Sequence, residues 1–107
     1  MPDIVMIGAG GFARRHLEVL ETLDGVAIVG HQARRREAAE AQAHRFGGRA
    51  FDAIDELLDA CRPDAAWIVL PPGAHGPAED ACLARGIPFF VEKPLAAGPE
   101  PAERIAA

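Results

Sequence analysis

Tyrosine is absent from this 107-residue chain, tryptophan appears once and cysteine twice. Without tyrosine, a Tyr-x-x-x-Lys proton-transfer pair is excluded. Cys61 and Cys82 stand alone, with no CxxC pair and no histidine at metal-ligand spacing, which argues against a metal site and a disulfide framework and makes both buried thiols. No apolar run approaches the roughly 20 residues that a bilayer span requires. The start, Met1-Pro2-Asp3-Ile4, lacks the basic stretch and long apolar stretch of a secretory leader, so a cytoplasmic location is expected. Basic residues are outnumbered 11 to 16, and the formal charge of −5 repels phosphate backbones and anionic membranes, which sets nucleic acid and membrane aside as partners. Internal repeats and low-complexity tracts are also missing.

What is present is the balance of a globular domain, with 50% hydrophobic and 25% charged residues. The length fits one core of ordinary domain size. Ile4-Val5-Met6-Ile7 is a short unbroken apolar run ended by glycine, as expected of a parallel strand buried on both faces. From Phe12 to Leu23 apolar residues recur at helical intervals opposite Arg14, Arg15, Glu18 and Glu21. Val26 to Val29 reads as a second strand closed by Gly30. Arg34 to Phe46, rich in alanine, glutamate and arginine, reads as a helix stopped at Gly47-Gly48. Arg49-Ala50-Phe51 forms a weak third strand, and Asp52 is placed to cap a helix over Ile54 to Ala60. Ala65 to Leu70 is the clearest strand. A helix over Pro77 to Arg85, a fifth strand over Ile87 to Val91 and a last helix opening at Pro99 complete the series. Strands alternating with helices of this length predict an α/β fold, a doubly wound parallel sheet of Rossmann type.

Gly8-Ala9-Gly10-Gly11-Phe12-Ala13 matches G-x-G-x-x-G/A where that pattern belongs, after the first strand and at the start of the first helix. Gly8 permits a tight turn, Gly10 lets backbone approach a pyrophosphate, and the small Ala13 allows close helix packing. The free amides around Gly11 and Phe12 then face the phosphates at the positive end of the helix dipole. Such a site commonly ends its second strand with an acidic residue some 20 positions on. Here that count falls on His31, with Arg34 and Arg35 close behind. A 2′-phosphate would suit the arginines through charge-assisted bonds, so NADP is favoured over NAD. A solvated first turn of helix is the bland alternative for the arginines. Leu70-Pro71-Pro72-Gly73-Ala74-His75 follows the fourth strand, and Glu92-Lys93-Pro94 follows the fifth, at the same carboxyl edge where open α/β sheets bind ligands.

Taken in order, GAGGFA, PPxxH and EKP resemble the Gfo/Idh/MocA family of glucose-fructose oxidoreductases and inositol dehydrogenases over essentially the whole chain. The resemblance implies an oxidoreductase that binds NADP or NAD and moves hydride between the nicotinamide and a sugar or cyclitol hydroxyl. Lys93 would be the catalytic residue, reaching the substrate hydroxyl and stabilising developing alkoxide charge. Glu92 and Pro94 would fix its loop, and Pro71, Pro72 and His75 would lie beside the nicotinamide ribose. Leu70, at the end of the fourth strand, is assigned to the same cofactor-binding set. Family members continue into a substrate domain, so residues 1–107 are expected to be the cofactor domain alone, inactive by itself and oligomeric only through the remainder. The competing reading is a non-catalytic NAD(P)-binding sensor.

Overall fold

The computed structural model describes residues 2–91. Strand β1, Asp3–Ile7, lies at the centre of the sheet, and Val5, Met6 and Ile7 are fully buried between two helical layers. That is why the run has no polar alternation. Helix α1, Gly11–Leu20, buries Ala13, Leu17 and Leu20. It ends earlier than the apolar spacing predicts, because Thr22 turns back on Val19, its hydroxyl donating to the Val19 carbonyl at 2.6 Å. Strand β2 covers Ala27–Gln32, α2 Arg36–Phe46, β3 Arg49–Phe51, α3 Ile54–Cys61, β4 Ala65–Ile68, α4 Pro77–Ala84 and β5 Phe89–Val91, with a short 3₁₀ turn at Pro72–Ala74.

Five parallel strands form one sheet in the order β3-β2-β1-β4-β5. The chain winds outward from β1 to β3, then crosses back to place β4 on the other side of β1. The α/β reading of the sequence therefore holds, and the reversal of direction sits between β1 and β4. One face of the sheet packs Ile4, Met6, Leu17 and Leu20 under α1, and the other packs Val5, Ile7, Leu57, Leu58 and Cys82 under α3 and α4. Cys82 is buried as expected, while Cys61 is half-buried with its Sγ 3.6 Å from the Val29 carbonyl. Among the described residues no helix is long and apolar enough to cross a membrane.

Helix α2 begins at Arg36 rather than Arg34, β4 ends at Ile68 rather than Leu70 and β5 begins at Phe89 rather than Ile87; two further differences bear on packing and capping. Gly30 does not close β2. Ile4 pairs with Ile28 but Val5 pairs with Gly30, so Val29 is an extra residue in a bulge and the strand runs on to Gln32. Gly30 is there for space, since a Cβ on it would lie 2.7 Å from both the Leu57 Cδ1 and the Cys61 Sγ. Asp52 does not cap α3 either. The helix begins at Ile54 as read, but its cap position is Ala53, and the Asp52 carboxylate stands 3.9 Å from Arg36 instead.

The packing of α3 on β2 thus requires a missing side chain at position 30. Gly30→Val is expected to lower unfolding free energy by about 1–3 kcal/mol, the cost of overpacking a filled core. Gly73→Ala, where an added Cβ meets no atom within 4 Å, serves as the control. Urea unfolding of the two variants checks this, and equal midpoints would contradict the packing role.

Candidate dinucleotide-binding site

Hydrogen bonds from two directions and one steric contact fix where the glycine loop begins. The Gly8 N–H donates to the Gln32 carbonyl at 2.8 Å, and the Val69 N–H donates to the Ile7 carbonyl at 2.9 Å, so β1 is clasped by both neighbours at its carboxyl end. Gly8 has φ 115°, and a Cβ built on it would lie 2.0 Å from the Val69 carbonyl oxygen. No other residue fits there. Gly10, with φ 107°, precedes the first turn of α1, and Cβ atoms built on Gly10 and Gly11 meet nothing within 4 Å. Open space therefore lies against this backbone. No side chain caps the helix and no acidic residue occupies its first turn, which leaves the amides of Gly11, Phe12 and Ala13 and the positive end of the dipole available to an anion. Ala13 is fully buried, while Phe12 is exposed with Arg15 stacked 5.9 Å from its ring centre. These features fit a dinucleotide pyrophosphate.

Arg34 and Arg35 stand exposed on the turn after β2, and Arg35 lies 3.6 Å from Glu37. Across the reversal point, the segment after β4 carries Leu70, half-buried against the core, then exposed Pro71 leading into the 3₁₀ turn that begins at Pro72. His75 is tied down at the end of this loop. Its Nε2 is hydrogen-bonded to the Leu70 carbonyl at 2.9 Å and its Nδ1 to a Glu79 carboxylate oxygen at 2.6 Å, while the other oxygen of Glu79 accepts the Gly76 N–H at 2.8 Å. Burial alone would raise the Glu79 carboxyl, but the Gly76 N–H and the His75 ring outweigh it and hold the group below the usual carboxylate range. His75 thus closes the loop onto the start of α4. Glu92, Lys93 and Pro94, like the helix expected from Pro99, lie outside the described residues.

His31 does not stand where the count from Gly10 put it. The bulge at Val29 and the extension of β2 move the strand end to Gln32, and His31 faces inward under α2 with no exposed surface. Its Nε2 donates to the Gly47 carbonyl at 2.7 Å, and its Nδ1 accepts from the Gln42 side-chain amide at 3.1 Å. With both nitrogens engaged inside the core, it is a structural residue. Gln42 was not singled out in the sequence, although it is the only side-chain amide of α2 and lies three residues beyond Ala39, which is fully buried.

Burial lowers the His31 pKa below its ordinary 6.5, and this outweighs the opposing bond to Gly47. The unfolded chain therefore takes up the proton first as pH falls. The stability held by neutral His31 is complete above about 6.5 and is lost as pH drops below that value toward the folded pKa. The melting temperature of wild type should fall between pH 7 and pH 5.5 more steeply than that of His31→Asn, which cannot titrate. Parallel pH profiles would contradict the assignment.

Residues 3–107 match the model of the Gfo/Idh/MocA oxidoreductase family, NAD-binding Rossmann fold. The chain is 33% identical over 96 residues to glucose-6-phosphate 3-dehydrogenase of Bacillus subtilis, covering 90% of this chain and 27% of that protein. Inositol 2-dehydrogenase of Leifsonia xyli is 35% identical over 102 residues, covering 92% and 29%. The structure of myo-inositol dehydrogenase from Lactobacillus casei, in complex with NAD(H) and myo-inositol, superposes with a TM-score of 0.82 at 31% identity over 99% of this chain and 32% of that one. A 3-ketoreductase from Actinomadura kijaniata in complex with NADP gives a TM-score of 0.81 at 30% identity over 98% and 34%. The chain spans about a third of the length of these relatives. All four are dehydrogenases or reductases, and none supports the sensor reading. With the glycine loop, the strand order and the family match in agreement, the chain belongs to the Gfo/Idh/MocA family of NAD(P)-binding oxidoreductases.

Proposed function

We propose that this chain is the dinucleotide-binding part of an oxidoreductase that moves hydride between a nicotinamide cofactor and a carbon bearing a hydroxyl in a sugar or cyclitol. The observation that carries the reading is the uncapped start of α1, facing open space beside Gly10 and Gly11 at the reversal point of the sheet. The pyrophosphate would lie over Gly8 to Ala13, with the adenosine end toward Arg34 and Arg35 and the nicotinamide end toward the loop from Leu70 to His75. The exposed arginines favour NADP, because a 2′-phosphate can accept bidentate guanidinium bonds that a 2′-hydroxyl cannot match.

The cofactor, when bound, supplies the hydride acceptor or donor. Lys93 is assigned to the substrate hydroxyl on the strength of the EKP motif. An ammonium there would stabilise the alkoxide that develops as hydride leaves carbon. Rate also depends on holding the reacting carbon within roughly 3 to 3.5 Å of the nicotinamide. In the relatives, a dehydrogenase or reductase runs to about three times the length of this chain. We therefore place substrate positioning on a further domain, and expect residues 1–107 alone to bind cofactor without appreciable turnover.

Two outcomes test the reading. Calorimetry should show NAD(P) binding to wild type, and Gly10→Val should weaken it by at least about tenfold, because the new side chain fills the pyrophosphate's space. Equal affinities would remove the glycine-loop reading. Replacing Arg34 and Arg35 together with alanine should cost NADP at least about tenfold more than NAD, the size of one lost charge-assisted contact. An equal loss for the two cofactors would leave the arginines as a solvated helix turn.

A further inference from the structure

The peptide that opens the glycine loop is held from three sides, and the third holder comes from far along the chain. The Gly8 N–H is fixed by the Gln32 carbonyl, and the Cα is pressed against the Val69 carbonyl with no room for a Cβ. The Gly8 carbonyl accepts from the Gln42 Nε2 at 3.2 Å, across 34 residues of sequence. The same nitrogen donates its second hydrogen to His31 Nδ1 at 3.1 Å. His31 passes the connection to the Gly47 carbonyl at the end of α2. Gln42 is 9% exposed and His31 fully buried, so water does not readily replace either donor.

A side-chain amide nitrogen has two hydrogens and no lone pair to offer. Both are used here, and each has a buried acceptor in front of it, so the orientation of the Gln42 amide is determined. A trans peptide is planar with its C=O and N–H opposed. Fixing the Gly8 carbonyl toward α2 therefore also fixes the Ala9 N–H on the opposite side, at the entrance to the loop that continues through Gly10 and Gly11. Gln42 also lines the groove that Ala9, Gly10, Gly11 and Arg14 share with α2.

We propose that Gln42 is a positioning residue for the dinucleotide loop, setting pyrophosphate affinity by locking the Gly8–Ala9 peptide in one orientation. This rests on the reading of that loop as a pyrophosphate site. His31 is the second half of the device, because its unprotonated Nδ1 keeps the Gln42 amide from rotating its oxygen toward the Gly8 carbonyl.

The experiment uses the whole 107-residue chain with NAD and NADP as probes. Gln42→Met keeps size while removing both donors, and Gln42→Glu sets an acceptor against the Gly8 carbonyl. In each folded variant, the dissociation constants for NAD and NADP should rise together by about tenfold. The backbone amide resonances of Ala9 and Gly10 should shift in the cofactor-free protein while those of Phe89 to Val91 stay in place. A variant that merely loosens the fold would lower the melting temperature without this localised pattern. In wild type, the Gln42 side-chain NH₂ should exchange with solvent far more slowly than a free amide does, a readout that needs no variant to fold. Wild-type binding with variant affinities within about twofold of it overturns the positioning role, as does solvent-rate exchange of the Gln42 NH₂. Failure of wild type to bind either cofactor would instead overturn the dinucleotide reading itself.

Discussion

The carboxyl edge of this sheet depends on one close approach, that of the Gly8 backbone to the Val69 carbonyl. It joins the ends of β1 and β4 tightly enough that only glycine fits, and the bond from the Gly8 N–H to Gln32 brings β2 to the same junction. The loop that follows does not choose its own starting direction. Three strands impose it, and the helical layer then receives the chain already aimed at the first turn of α1. A binding loop fixed in this way loses little freedom when a ligand arrives, which is how rigid scaffolds make flexible-looking glycine segments into good anion sites.

Much of this was legible in the sequence. The unbroken apolar run of β1 could only be a strand covered on both faces, and the glycines after it could only serve a turn into a helix. Where the reading failed, the cause lay in tertiary structure. Gly30 reads as a strand stop, but it is small because α3 needs the room. Counting from Gly10 to the expected ribose contact assumes a regular β2, and the extra residue at Val29 breaks that assumption, turning His31 into the core. Asp52 has the right chemistry for a cap and misses by one residue. Gln42 carried only the faint signal of a polar side chain one turn beyond Ala39, since its meaning comes from a carbonyl 34 residues away.

The two histidines of the candidate site show how partners, not residue type, assign a role. His31 faces one acceptor and one donor and is held neutral in the core. His75 bonds the Leu70 carbonyl with one ring nitrogen and Glu79 with the other, tying the loop after β4 to the first turn of α4. One stiffens the β2 side of the sheet edge and the other stiffens the side beyond the reversal point. Choice of cofactor is a separate matter. Structures similar to this chain hold NAD(H) in one case and NADP in another on the same framework. The proposed role of Arg34 and Arg35 in cofactor choice is consistent with their exposure, since exposed loop positions can change without disturbing the core.

The strand order also has a consequence for how the molecule comes into being. β1 is the earliest strand in the chain and the central one in the sheet, with β2 arriving on one side and β4 on the other. During synthesis, the half built from β1 to β3 can assemble while the other flank of β1 is still bare. In that interval Gly8 has its bond partner at Gln32 but not the wall at Val69. Parallel pairing at such long separation is slow to form, because the intervening chain must be ordered first. The segment read as the cofactor loop thus emerges well before the strand that completes its walls, and it reaches its final shape only once β4 has docked on β1.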